Sequence, residues 1–165
     1  MASTLPVPIE FSLPEGWRSA PPDEVGAGEA AFVALHPASS QGFTANITIS
    51  GEVRTDGAPL TQVADEALGR LQRNIGEVRL GERKQAGSSE NPGLTQAVKM
   101  TIEMKGQTQD LVQLQVFLSM ADVRDKNRSA VLQFVLTATP QQFQRVAGDF
   151  QQFVSTVRPE QGENR

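Results

Sequence analysis

Cysteine is absent from the sequence, and its absence removes disulfides, thiolate metal sites, iron–sulfur clusters and cysteine nucleophiles. The redox compartment stays open, since a chain without thiols suits either side of a membrane. Histidine occurs once, as His36, so a His-rich metal site or a paired-imidazole mechanism is excluded, and any triad would have to run through this residue. No excess of basic charge is present: 15 Lys and Arg against 19 Asp and Glu leave a net charge of −4. Such a mild, mixed balance argues against nucleic acid as a partner, because phosphate neutralisation needs clustered cations. Nothing approaches the roughly 18 consecutive apolar residues of a spanning helix, so no stable membrane insertion is expected. The opening MASTLPVPIE lacks the positive start and the apolar run of about 7–15 residues that mark a signal peptide. A cytoplasmic protein is the resulting expectation.

What is present suffices for one domain, since 165 residues lie within the roughly 100–200 of a typical domain. The expected layout is a flexible N-terminus at 1–8, a single α+β domain at 9–159 and a disordered tail at 160–165. Ile9 to Leu13 alternates apolar and polar with period two, the pattern of a half-buried strand, and Pro14-Glu15-Gly16 ends it before Trp17, the one tryptophan. Residues 18–29 read as a loop and 30–35 as a second strand. A third strand follows, with Phe43, Ala45, Ile47 and Ile49 on one face and Thr44, Asn46, Thr48 and Ser50 on the other.

The period then changes. Leu60, Val63, Ala64, Ala67, Leu68, Leu71 and Ile75 recur at helical spacing between Pro59 and Gly76, which predicts a helix over about 60–75. A short strand at 78–82 and a long hairpin loop from Lys84 to Gly93 come next. Three alternating stretches, 98–104, 112–120 and 130–137, form an antiparallel meander. Thr139 and Pro140 open a final helix as N-cap and first residue, and Phe143, Val146, Ala147, Phe150, Phe153, Val154 and Val157 form its apolar stripe, which runs to Pro159. The fold class is α+β: an antiparallel six- to seven-stranded sheet with two main helices.

One helix covers about two strands, because a helix is about 10–12 Å wide and strands lie about 4.8 Å apart. Two helices on one face would leave the second face polar, uncovered or in use. Asn46, Thr48, Gln115, Phe117 and Gln133 are the residues expected to present that face to a partner.

Chemistry is harder to find. His36, beside Pro37 at a strand end, reads as structural. Asp65 and Glu66 share a helix with Arg70 and Arg73, and Glu66 is placed to pair with Arg70 four residues on. Asp122, Arg124, Asp125, Lys126 and Arg128 crowd one hairpin in alternating sign, which suits a soluble turn. Gly26 and Gly28 lack the strand-to-helix context of a phosphate loop. Asn46-Ile47-Thr48 matches a glycosylation acceptor but lies inside a strand. Trp17 is expected to cap one end of the core, its indole N–H finding a carbonyl, with a ligand pocket beside it as the alternative. No nucleophile, base and orienting group converge, so no enzyme and no cofactor are expected.

FSLPEGW at 11–17, ANITISGEV at 45–53, LTQVADEALGRLQ at 60–72 and ATPQQFQRVAGDFQQFVSTVRP at 138–159 together resemble the Mog/PsbP-like fold family, in its bacterial, actinobacterial Lpq-like branch. The resemblance spans about 9–159 and implies an α/β sandwich with an antiparallel sheet. In that family one member binds the GTPase Ran, another serves photosystem II, and the Eag-type group chaperones hydrophobic segments. The likeness therefore implies a non-catalytic protein-binding module, an adaptor or chaperone, with a small-ligand carrier at Trp17 as the alternative. The given sequence shows neither the leader nor the lipidated cysteine of Lpq-type lipoproteins, so a cell-envelope role is not expected, and no functional residue carries over.

Overall fold

The computed structural model describes residues 5–25, 30–37, 42–87, 92–104, 106–121 and 128–159. Its elements are β1 (Ile9–Glu10), β2 (Arg18–Ala20), a short 3-10 helix (Pro22–Val25), β3 (Phe32–Leu35), β4 (Asn46–Arg54), α1 (Leu60–Ile75), β5 (Val78–Gly87), β6 (Pro92–Met104), β7 (Gln107–Ala121), β8 (Ser129–Ala138), α2 (Pro140–Ser155) and β9 (Arg158–Pro159). Among the described residues a seven-stranded sheet runs in the order β2-β3-β4-β8-β7-β6-β5, antiparallel throughout. β1 and β9 make a separate ribbon, Ile9 facing Pro159 and Glu10 facing Arg158.

Both helices form where the 3.6-residue period predicts them. α2 begins with a capping box: Gln142 N–H donates to Thr139 Oγ1 at 3.1 Å while Gln142 Oε1 accepts from Thr139 N–H at 3.0 Å. Each bond satisfies an amide that the first helical turn leaves without an intrahelical acceptor. α1 ends as Gly76 N–H donates to Gln72 O.

Three differences from the sequence reading have local causes. The loop assigned to 18–29 contains β2, whose Arg18 lies opposite Leu35; three residues are too few to show a period. The loop assigned to 84–93 is largely strand, since β5 reaches Gly87 and β6 starts at Pro92. A bulge between Leu80 and Arg83 inserts an extra residue and inverts the alternation beyond it, so the second half of β5 does not continue the pattern of the first. Finally, Phe11 and Leu13 do not extend β1. They enter the core instead, with the Phe11 ring 4.9 Å from that of Phe32 and 5.2 Å from that of Phe153.

The helices lie on opposite faces, which corrects the expectation that one face would be left to a partner. α2 packs on β8 and β7, burying Val146, Phe150 and Phe153 against Ile47, Ile49, Leu132, Phe134 and Leu136. On the other side α1 packs across β5, β6 and β7, setting Leu60, Val63, Ala64 and Ala67 over Leu94, Phe117 and Val131. Register decides which rows meet: Val98 faces Gln113 and Lys99 faces Val112. The apolar row of β6 therefore shares the α1 face with the glutamines of β7, while the apolar row of β7 shares the α2 face with Lys99.

The N-terminus enters the fold earlier than position 9, because Leu5 packs on the core and Pro6 lies over β4. A Cβ built on Gly51 would sit 2.7 Å from Pro6 Cδ and 3.0 Å from Leu132 Cδ2. Gly51 is thus required for close approach rather than for its backbone angle. Gly51→Val is expected to cost about 1–3 kcal/mol by overpacking, read as a lower urea midpoint. Most of that loss should vanish in a chain lacking residues 1–8; equal losses in both chains would show that the N-terminal segment is not what Gly51 accommodates. The expected tail at 160–165 and residues 1–4 lie outside the described residues.

Candidate functional site

The α1 face contains a continuous chain of side-chain hydrogen bonds. Arg83 Nε on β5 donates to Gln96 Oε1 at 2.9 Å, and Gln96 Nε2 donates to Gln115 Oε1 at 2.7 Å and to the Ala64 carbonyl of α1 at 3.3 Å. Gln115 Nε2 then donates to Gln113 Oε1 at 2.8 Å, and Gln113 Nε2 to Thr137 Oγ1 at 3.1 Å. Arg83 Nη2 also pairs with Asp65 Oδ1 of α1 at 2.8 Å. This ladder lets a helix with two buried alanines cover a polar strip: every buried amide finds a partner, which an apolar lid alone would not provide.

The five residues expected on an open face fall into two groups. Gln115 and Phe117 are 1% and 0% exposed, Gln115 within the ladder and Phe117 beneath α1, and neither can reach a partner while the helix is in place. Asn46, Thr48 and Gln133 are half-buried on the same face, on β4 and β8 beside α1. Gln133 and the edge of Phe117 line a cleft of about 100 Å³ with Ser50, Glu52 and Arg70, too small for more than a side chain or a few waters.

Trp17 is 8% exposed and part of the α2-face core. The turn FSLPEGW closes as Trp17 N–H donates to Pro14 O at 3.2 Å, with Gly16 at φ 92° in the left-handed region that a side chain disfavours. The indole N–H donates to the carboxylate of Asp149 on α2 at 3.0 Å rather than to a carbonyl. His36 stands against the same ring, with centroids 4.9 Å apart. Gly26, Gly28, Asp122, Arg124, Asp125 and Lys126 lie outside the described residues, and among the described residues no group of three or more acidic or histidine side chains is arranged to hold a metal.

Glu66 pairs with Arg54 of β4 rather than with Arg70, accepting from Nη1 at 2.7 Å and from Nη2 at 3.1 Å. Arg54 also reaches Asp56 at 2.8 Å and Glu52 at 3.1 Å. Hydrogen bonds from Arg54 hold Glu66 below its ordinary 4.5 and Asp56 below its ordinary 3.8. Groups with a depressed folded pKa stabilise the fold above the unfolded value, and that contribution is lost as pH falls through the folded value. Stability should therefore drop as pH is lowered from about 4.5, and Arg54→Gln should flatten this acid limb; an unchanged limb would assign it to other carboxylates.

The feature missing from the sequence reading lies on the α2 face. Val112, Leu114, Val116, Leu118 and Met120 of β7 all point there and are only half-buried. Their counterparts on β8, Leu132, Phe134, Leu136 and Ala138, are fully buried in the core formed with α2 and the N-terminal segment. Asp149 turns one flank of α2 toward Trp17, so helical geometry turns the other flank, with half-buried Phe143, Ala147 and Val154, toward β6 and β5. The floor beyond β7 is built by Gly93, Thr95 and Ala97 of β6 and by Gly81 of β5, which lies against Ala97, with the exposed Lys84 of β5 rising opposite Thr95. Together these residues outline a shallow groove beside α2, about 27 Å along β7, whose half-buried β7 side chains pack on the edge of the α2-face core. Its end near the β6–β7 turn opens into two clefts: one of about 380 Å³ lined by Glu77, Arg79, Lys99, Thr101, Asp110 and Pro140, and one of about 640 Å³ under the start of α2, lined by Thr108, Asp110, Gln144 and Arg145.

No protein-family model matches the chain, and no curated protein matches it in sequence. Solved structures do. LpqN of Mycobacterium tuberculosis, described as involved in cell envelope biogenesis, superposes with a TM-score of 0.64 at 13% identity, over 92% of this chain and 84% of that one. Cyanobacterial PsbP of Synechocystis gives 0.62 at 13% identity, over 92% and 86%. The Ran-binding protein Mog1p of Saccharomyces cerevisiae gives 0.56 at 12% identity, over 92% and 89%. Identities this low speak for architecture alone: a seven-stranded antiparallel sheet between two helices, the Mog/PsbP-like fold.

Proposed function

We propose that this protein is a non-catalytic protein-binding module, of the adaptor or chaperone kind, that receives a helical apolar segment of a partner in the groove beside α2. The observation that carries this is the row of five β7 side chains left half-buried although their neighbours on β8 are sealed. The uncovered strands β6 and β5 span about 10 Å, close to the diameter of one helix, so a docked helix would lie beside α2 and complete the layer. Mog1p, which shares the fold, is described as Ran-binding, and none of the three solved structures is described by a catalytic activity. The Asn46, Thr48 and Gln133 row belongs to the polar half of the opposite face and offers no comparable apolar strip. A carrier role at Trp17 is disfavoured by burial of the ring, and Trp17 lines none of the clefts described above. No helix among the described residues is long and apolar enough to cross a membrane; a cytoplasmic site of action is part of the proposal.

The test is a fluorescence anisotropy titration with a labelled amphipathic peptide whose apolar face is leucine. Wild type should bind, while Val116→Lys and Ala97→Glu, the latter outside the helix-packed core, should keep the folded circular dichroism spectrum and lose binding. Absence of binding to wild type, or binding untouched by both substitutions, would remove the groove from consideration.

A further inference from the structure

Arg79 of β5 and Lys99 of β6 are directly opposite one another in the ladder, on the groove face. Both are exposed, both line the 380 Å³ cleft at the groove's end, and neither forms an ion pair among the described residues. Like charges at directly opposed positions destabilise a sheet, so this pair carries an unfavourable interaction that an anion between the two heads would reverse. The charges nearest in the fold sharpen the position. Glu77 and Asp110 line the same cleft one pleat nearer the β6–β7 turn, Glu77 flanking Thr101 on the β5 side, where its carbonyl accepts from Thr101 N–H, and Asp110 opposite Thr101 on β7, where it accepts a hydrogen bond from Thr101 Oγ1 at 2.8 Å. A second carboxylate is therefore repelled from the turn end and attracted one pleat along the strands, to Arg79 and Lys99.

We infer that Arg79 and Lys99 form an acidic-residue subsite of the groove, taking the carboxylate of a Glu or Asp on the docked segment. This rests on the binding role proposed above and adds the chemistry of the partner: a helix apolar on one face and acidic on the flank that meets β5. A guanidinium and an ammonium converging on one carboxylate make charge-assisted hydrogen bonds, stronger than neutral ones and open to screening by salt. Such a rim contact selects the partner more than it adds raw affinity.

Two peptides of identical leucine face, one with glutamates on a single flank and one with glutamines there, separate the possibilities. At low salt, wild type should bind the glutamate peptide about tenfold more tightly than the glutamine peptide, and the preference should shrink with added salt. Arg79→Gln/Lys99→Gln should bind both peptides equally, at the wild-type affinity for the glutamine peptide, while Arg18→Gln on the opposite edge strand should leave the preference intact. Equal binding of both peptides by wild type, or a preference that survives the double substitution, would overturn the subsite and leave the groove standing. Binding of neither peptide would overturn both.

Discussion

Gln96→Leu is expected to destabilise the protein by about 2–3 kcal/mol, because it strands the buried Gln115 amide and breaks the ladder at its centre. Gln96 is 0% exposed, accepts from Arg83 Nε and donates to Gln115 Oε1 and the Ala64 carbonyl. Leucine keeps roughly the volume and adds apolar contact, yet it strands the buried Gln115 Oε1 and removes an acceptor from the part-buried Arg83 guanidinium and a second donor from the Ala64 carbonyl. The cost should appear as a lower urea midpoint with an unchanged slope. Gln113→Leu, at the half-buried end of the ladder, should cost about 1 kcal/mol, since solvent can replace its bonds. Combining Gln96→Leu with Gln115→Leu should cost less than the sum of the two by about 1–2 kcal/mol, because the bond between them is then removed from both sides. Strict additivity would mean the amides do not act as a connected chain.

Phe117→Ala is expected to lose about 3–5 kcal/mol, and Phe117→Glu to leave the chain largely unfolded. The ring is 0% exposed and packs with Leu60, Val63 and Ala64 of α1 and with Leu94 and Val131 of the sheet. Truncation leaves a cavity that α1 cannot collapse into without breaking the Gln96–Ala64 bond and the Arg83–Asp65 pair, so little relaxation is available. The same substitutions on an open sheet face would change stability by less than about 1 kcal/mol. Chemical denaturation therefore discriminates directly: a nearly neutral Phe117→Ala would show that α1 does not cover this face in solution. It also bears on interpretation, because a binding defect in a Phe117→Glu protein would report unfolding.

Much of the fold is legible in the residues. α1 and α2 follow from apolar spacing, from Pro59 and Gly76 at the ends of one helix and from the Thr139–Pro140 start of the other. β4, β6, β7 and β8 follow from strict alternation. The second half of β5 is hidden by the bulge between Leu80 and Arg83, and β2 and β9 by their brevity. The candidate site was far less legible. Leu114, Val116 and Leu118 read as ordinary core positions, because alternation shows that a residue faces inward and says nothing of what, if anything, covers it.

The local rules of the chain determined the elements, their order and the exclusion of thiol and paired-histidine chemistry, since these depend on residue type and on spacings within a few turns or pleats. Tertiary structure decided which rows share a face. The register that sets Val98 opposite Gln113 and Lys99 opposite Val112 puts glutamines beneath α1 and an unfinished apolar strip beside α2. A slip of one residue would exchange every one of those assignments. Pairing register is a contest between distant strands, settled by the packing of both faces at once, and no short stretch of sequence contains it.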